Sequence, residues 1–146
     1  MSIQFLDMRI SQDSTTDSPG VDLVRYSYMF GDIGLQTGSV TPGNENLVRV
    51  TLNAYARLSV LPSVIYPNDV TFNIYRNGTL IFSTVYPGST SDTETKYEMV
   101  GITAVDFPPA ADVLTGQIRY TITAGAIRNA NLGARSFSGI AVAGNG

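Results

Sequence analysis

The chain has 146 residues, enough for one domain with a buried core, and carries a formal net charge of −3 with only 14% charged residues. Histidine and cysteine are absent, which excludes disulfides, thiolate and imidazole metal sites, and nucleophile–histidine catalysis. Net negative charge argues against nucleic-acid binding, and no apolar run approaches the roughly 18 residues that a membrane-spanning helix needs. We therefore expect a protein that is not an enzyme, uses no cofactor and does not insert into membranes.

The N-terminus predicts a β-strand on a tether. The stretch SIQFLDMRIS, residues 2–11, alternates polar with large apolar side chains, whereas residues 11–20 contain no large apolar group. A segment of Ser, Thr, Asp, Pro and Gly is typical of a flexible or extended connector. We therefore assign residues 1–20 to an N-terminal strand and linker, and residues 21–146 to the folded domain. The apolar residues of the strand are Ile3, Phe5, Leu6, Met8 and Ile10.

Period-2 alternation continues through the first half of the domain, and no segment shows sustained helical periodicity. VDLVRYSYMF and LQTGSV predict two strands, and LVRVTLNAYARLSV predicts a long one with an apolar and a polar face. An antiparallel sheet with one buried face requires this pattern. The apolar face comprises Val48, Val50, Leu52, Ala54, Ala56 and Leu58.

Asn77-Gly78 lies between two alternating runs and predicts a hairpin with a two-residue type I′ turn. With that turn, Arg76 pairs with Thr79, Tyr75 with Leu80, and strict alternation places Ile74 opposite Ile81. Phe72 then faces Ser83, and the reverse face carries Tyr75, Leu80 and Phe82. That reverse face is unusually apolar for a solvated surface, so we predict that it is covered by another sheet, a loop or a neighbouring molecule.

The remaining chain supplies strands in KYEMVGITAVDF, TGQIRYTITAG and ARSFSGIAVAG, with AIRNANLG as a loop. About eight or nine strands separated by Gly-, Pro- and Asn-rich turns predict an all-β fold, an antiparallel jelly-roll β-sandwich with an N-terminal extension strand. Asp106 and Asp112 flank FPPAA and form the one pair of carboxylates that suggests acid–base chemistry. We interpret them as ordinary loop carboxylates.

The N-terminal strand has two interpretations. It folds back as an edge strand of its own sandwich, or it pairs in the sheet of a neighbouring subunit by β-strand addition. Repeated head to tail, the second contact is heterologous and does not close, so it produces a filament. We favour the second, in which Ile3, Phe5, Leu6, Met8 and Ile10 complete a neighbour's sheet.

Four stretches, FNIYRNGTLIFSTV, MVGITAVDFPPA, GQIRYTIT and SFSGIAVAG, resemble the exosporium protein C group of endospore-forming bacilli. In that group an I-x-R-N-G-T hairpin precedes an F-S-G-I/L-A ending, and the resemblance covers about residues 46–143. It implies a structural spore-surface protein, assembled from the mother-cell side, with no catalytic residues. In design the tethered strand also resembles surface-fibre subunits with an N-terminal donor strand. The N-terminal cysteines of one class of spore appendage subunits are absent here.

Together these features predict a self-assembling subunit of a spore or cell-surface layer or fibre, with copies of itself and other spore-surface proteins as partners. The first residues lack the basic and apolar regions of a secretory signal, so we expect assembly without Sec export. The alternative is a non-catalytic jelly-roll module that binds a carbohydrate or a receptor as a monomer or closed trimer. The absence of Trp weakens the carbohydrate version.

Overall fold

Two antiparallel sheets pack face to face in a jelly-roll β-sandwich, as the alternation predicts. The computed structural model describes residues 2–24, 27–63, 65–88, 90 and 93–144. Its helical segments are a 3-10 turn at Glu45–Leu47 and the short helix α1 (Ala110–Val113). Within the described residues the nine strands are β1 (Gln4–Ser14), β2 (Val21–Asp22), β3 (Ser27–Gln36), β4 (Val48–Val60), β5 (Val70–Arg76), β6 (Thr79–Tyr86), β7 (Lys96–Asp106), β8 (Gln117–Ala126) and β9 (Ala130–Ala143).

The first sheet has the order β1-β9-β4-β7, with the short β2 also pairing with β9. The second sheet has the order β3-β8-β5-β6. Strands β1 and β3 lie at one side of the sandwich and contact each other, whereas β6 and β7 lie at the opposite side. The core between the sheets is large and apolar, and its bulkiest fully buried residues include Tyr120, Phe30, Phe72, Phe137, Leu52 and Ile74.

The central strands follow the predicted alternation. All six residues of the predicted apolar face of β4 are buried, since β4 lies between β9 and β7 with its inner face on the second sheet. Ile118, Tyr120 and Ile122 of β8 are likewise completely buried. The sequence therefore predicts correctly which face of β4 meets the core.

The β5–β6 hairpin confirms the turn and corrects the register beyond it. Asn77 and Gly78 have φ of 48° and 84°, as a type I′ turn requires, and Tyr75 pairs with Leu80. A register shift then leaves Ile81 without a direct partner, so Ile74 lies opposite Phe82 and not opposite Ile81. A bulge turns the residues that follow it to the other face, so Phe82 packs against the core.

Several boundaries differ from the predictions. No strand covers LQTGSV as a whole, because β3 ends at Gln36, where the next residue, Thr37, donates its hydroxyl to the Val113 carbonyl at 2.7 Å. The stretch after Pro109 forms α1, whose first turn begins with the Asp112 N–H donating to the Pro109 carbonyl. The loop AIRNANLG shrinks to residues 127–129, because β9 already pairs with β4 from Ala130.

Candidate interface at the sheet edges

Strand β1 pairs with β9 of its own chain, as the outermost strand of the first sheet. The pairing is antiparallel and runs from Gln4 opposite Ala143 to Ser14 opposite Arg135. The strand thus extends through Ser14, into the stretch for which the composition predicts a linker. In the single chain the strand is an edge strand of its own sandwich, and its pairing with a neighbouring subunit stays a proposal.

A bulge at Leu6 decides which side chains of β1 face solvent. The register with β9 shifts between Phe5 and Asp7, so Leu6 has no direct partner and points into the core, where it is 9% exposed. Strict alternation would place Phe5 on the face opposite Met8 and Ile10. The bulge instead leaves Phe5, Met8 and Ile10 all exposed, at 61%, 51% and 67%.

The exposed apolar surface of β1 continues onto β9. Phe5 lies opposite Val142 and Met8 opposite Ile140, and directly paired residues of an antiparallel sheet point to the same side. Ile140 is itself exposed, and Ile3 is exposed at the start of the chain. We call this surface the β1 apolar face: Ile3, Phe5, Met8, Ile10, Ile140 and Val142. The sequence does not indicate this face, because a bulge has no distinct composition.

Polar side chains on the inner side of β1 attach it to the second sheet. The Gln36 N–H donates to Asp7 Oδ2 at 2.8 Å, and the Asp32 N–H donates to Ser11 Oγ at 3.2 Å. Both donors belong to β3, the edge strand of the second sheet, so β1 covers that edge. Near the strand's start, Gln4 Oε1 accepts from the Thr41 N–H at 3.0 Å.

Two carboxylates, Asp7 and Asp13, hold β1 in place; we call them the anchor carboxylates. Burial raises the pKa of Asp7, but hydrogen bonds from Arg9 and from backbone N–H groups outweigh it, so its pKa lies below the ordinary 3.8. Burial also raises the pKa of Asp13, but hydrogen bonds from the Tyr28 hydroxyl and Arg135, at 2.6 and 2.7 Å, outweigh this effect, so its pKa too lies below 3.8. Both groups therefore favour the folded strand in their ionised form.

The predicted linker is also attached to the sandwich. Asp17 Oδ1 accepts from the Ala134 N–H at 2.9 Å, and its other oxygen lies 2.8 Å from Arg57 Nη1. Both partners belong to the first sheet. The composition of this segment, which predicts a flexible or extended connector, gives no indication of these two contacts.

At the other edge of the first sheet, β7 pairs with β4 over eleven residues without a register shift. Its outer face carries Tyr97, Met99 and Val105, which are 62%, 76% and 60% exposed. Among the described residues no strand pairs with its second edge. Strands β6 and β7 are separated by a groove of about 320 Å³, lined by Phe82 and Ile102 among others.

The second predicted interface, Tyr75, Leu80 and Phe82, lies on the other sheet and is not brought together with β1. Leu80 is exposed, Tyr75 is half-buried, and the bulge turns Phe82 inward. These three residues therefore do not share one exposed face.

Asp106 and Asp112 both bind the guanidinium of Arg76. Arg76 Nη1 donates to both oxygens of Asp106, at 2.7 and 2.9 Å, and Arg76 Nε lies 3.2 Å from Asp112 Oδ2. The buried Tyr120 hydroxyl also donates to Asp106, at 2.7 Å. Burial raises the pKa of Tyr120 well above 10, and the hydrogen bond to Asp106 adds to this shift. This cluster joins the two sheets, and sequence reasoning missed the role of Arg76.

The described part of the chain contains no group of three or more Asp or Glu side chains arranged to hold a metal ion. None of its helices is long and apolar enough to cross a membrane.

No family model and no curated protein matches the chain. Among solved structures, dimeric latent PorU from Porphyromonas gingivalis matches 97% of this chain with 13% identity and a TM-score of 0.48, but the chain spans only 13% of PorU. A family 35 carbohydrate-binding module from an environmental isolate matches 92% of the chain, with 12% identity, a TM-score of 0.34 and 90% of that module covered. A family 6 module of Cellvibrio mixtus lichenase 5A, in complex with cellotriose, matches 98% of the chain, with 13% identity, a TM-score of 0.29 and 100% of that module covered. These similarities concern the fold alone.

Proposed function

We propose that this protein is a structural subunit that self-assembles by adding β1 to the sheet of a neighbouring copy, forming an open head-to-tail polymer. The observation that carries the proposal is the β1 apolar face. The outermost strand of the first sheet exposes three large apolar residues on one side, Phe5, Met8 and Ile10, and only Leu6 reaches the core. An exposed apolar patch of this kind marks a protein interface, and an unpaired edge is a template for another strand.

Several further features support assembly over catalysis or solution binding. Only 14% of the residues are charged, so few like charges oppose the packing of one copy against another. The two carboxylates that suggested acid–base chemistry both bind Arg76, and Asp106 also accepts from Tyr120, so they take part in joining the sheets.

We also propose a bacterial spore or cell surface as the site of assembly, with other surface proteins as further partners. This part of the proposal rests on the sequence resemblance to exosporium proteins. Labelling of intact spores with an antibody raised against the purified protein tests it. Signal confined to the mother-cell cytoplasm would contradict it.

Negative-stain electron microscopy of the purified full chain tests the assembly. We expect filaments or extended arrays from the wild type. The triple variant Phe5→Ser, Met8→Thr, Ile10→Thr keeps Leu6 and the anchor carboxylates, so it should fold and remain a monomer. A matched triple variant at exposed apolar sites outside β1 and the other sheet-edge strands, Ile65→Ser, Leu114→Thr and Ile127→Thr, should still assemble. A monomeric wild type, or a β1 triple variant that assembles normally, would contradict the proposal.

A second candidate function is ligand binding without assembly, favoured by a groove of about 470 Å³ on the outer face of the second sheet. Its lining includes the uncharged polar side chains of Ser27, Thr71 and Asn73. Titration of labelled protein with cellohexaose, xylohexaose and chitohexaose would reveal such a site as saturable NMR shifts at these three residues. A constant monomeric or trimeric mass together with saturable shifts would favour this candidate over assembly.

A further inference from the structure

We propose that the acceptor for β1 is the unpaired edge of β7 in a second copy of the chain. The proposal rests on the proposed function and specifies its partner surface. In this arrangement β1 stays paired with its own β9 and bonds to β7 of the neighbour through its other edge. The first sheets of successive copies then join into one continuous sheet.

Strand β7 lacks the features by which edge strands avoid such pairing. It has eleven residues, contains no proline, and pairs with β4 without a bulge. Of its three charged residues, Lys96 and Glu98 lie at its start and Asp106 at its end, so the middle carries none. By contrast, the β3 edge of the second sheet, on the other side of the sandwich, is covered by the side chains of Asp7 and Ser11. Among the described residues, the β7 edge therefore lacks the cover that the β3 edge has.

Strand direction makes the two edges compatible. The pairs β1–β9, β9–β4 and β4–β7 are all antiparallel, so β1 and β7 run in opposite directions at the two edges of the same sheet. A second copy moved sideways in the plane of the sheet, without rotation, therefore presents its β1 antiparallel to β7. Each copy uses one edge to donate and the other to accept, so the contact is heterologous and repeats without closing.

The exposed side chains of the two edges also match. Met8 pairs with Ile140, Ile140 with Thr51, and Thr51 with Val105, so one row of residues crosses the outer face of the sheet from β1 to β7. Met8 and Val105 therefore point to the same side. On that side both edges carry large exposed apolar residues: Phe5, Met8 and Ile10 on β1, and Tyr97, Met99 and Val105 on β7. In the register of this row, joining the strands would place Met8 of one copy beside Val105 of the next and bury both as cross-strand neighbours.

The fold leaves room for the incoming strand. The groove of about 320 Å³ between β6 and β7 separates the two edge strands, so among the described residues β6 does not cover β7. Phe82 and Ile102, which line this groove, pack against or belong to the core. A strand added at β7 would cover part of this apolar lining.

Charge substitutions on β7 test the acceptor. Val105→Lys adds a positive charge to the exposed edge and Met99→Glu adds a negative one. If both variants assemble poorly, the cause is the burial of a charge in an apolar contact and not the sign of that charge. We expect each to raise the protein concentration needed for assembly about tenfold or more, equivalent to about 1.4 kcal/mol, while leaving the circular dichroism spectrum unchanged. Leu114→Lys and Leu114→Glu, at a site 68% exposed and outside both edges, should assemble as wild type. Normal assembly of both β7 variants would overturn the inference.

Engineered cysteines distinguish addition at β7 from exchange of β1 between copies. Ile10 lies opposite Ser138 in β9, and the natural chain contains no cysteine. Ile10→Cys protein is mixed with Ser138→Cys protein, assembled and oxidised. Addition leaves β1 on its own β9, so the mixture should yield no dimer cross-linked between the two substituted positions, whereas the double variant should close this disulfide within one chain. A cross-linked dimer of the two single variants would overturn the β7 acceptor while supporting the proposed function; no polymer at all would contradict both.

Discussion

The Asp106 carboxylate is the centre of the cluster that joins the two sheets, and its replacement by alanine gives a sharp test of the fold. In the wild type it accepts two hydrogen bonds from Arg76 and one from the Tyr120 hydroxyl, and Asp106 is only 8% exposed. Asp106→Ala removes all three. Arg76 keeps Asp112 as a partner at 3.2 Å, but the Tyr120 hydroxyl is left buried and unpaired.

The expected loss follows from these contacts. An unpaired buried hydroxyl costs about 1–3 kcal/mol, and breaking a buried ion pair costs about 3–5 kcal/mol. Because Arg76 keeps one carboxylate and its side chain is 16% exposed, the combined loss should be about 3 kcal/mol. With a urea m-value of about 1–3 kcal/mol/M, the unfolding midpoint should fall by about 1–3 M.

Equilibrium urea unfolding, followed by circular dichroism on protein kept below its assembly concentration, measures this loss. The matched control is Asp32→Ala, which removes a carboxylate that also accepts two hydrogen bonds from an arginine, Arg119, but at an exposed site. Its midpoint should stay close to that of wild type, since exposed ion pairs contribute little. Equal midpoints for the two variants would refute the reasoning that burial gives the Asp106 cluster its strength.

Three further predictions concern the attachment of β1 and the packing of the sheets. Leu6→Ala should lower the free energy of unfolding by about 2–3 kcal/mol, whereas Phe5→Ala should change it by less than about 0.5, both measured by urea unfolding. Folding lowers the pKa of both anchor carboxylates below 3.8, so the stability that they give to β1 is present at neutral pH and is lost as the pH falls from about 5 to about 2. Hydrogen exchange at pH 3 should therefore show β1 opening before the rest of the sandwich. Exchange of β1 no faster than that of β4 at pH 3 would contradict this. Gly31→Ala should cost about 1–3 kcal/mol or more in urea unfolding, since its Cβ would overlap Phe137, whereas Gly38→Ala, in open space, should be neutral.

The elements that alternation predicts well are those held on both sides by other strands. From Val50 onward β4 lies between β9 and β7, so the pleat fixes its faces, and the pattern from Val48 to Leu58 is predicted correctly from the alternation. The type I′ turn was also predictable, because both of its central positions require positive φ and Asn77 and Gly78 are residues that tolerate it.

The candidate interface was harder to predict, because single bulges decide it. Shifts at Leu6 in β1 and at Ile81 in β6 reverse the faces of the residues beyond them, and neither position has a distinguishing side chain. The result is that Phe5 joins Met8 on one exposed face, while Phe82 leaves the surface. The Arg76 cluster depends on residues up to 44 positions apart that only the packed sheets bring together, from Arg76 to Tyr120.

The central claim, that copies of this chain join through β1 into an open polymer, is tested most directly by the mass of the full-length protein in solution. Static light scattering over a concentration series distinguishes the possibilities, because a heterologous contact that does not close adds subunits without limit. We predict an average mass that rises continuously with concentration for wild type and stays that of a monomer for the Phe5, Met8, Ile10 triple variant. A wild-type mass fixed at one or three subunits across the series would contradict the account.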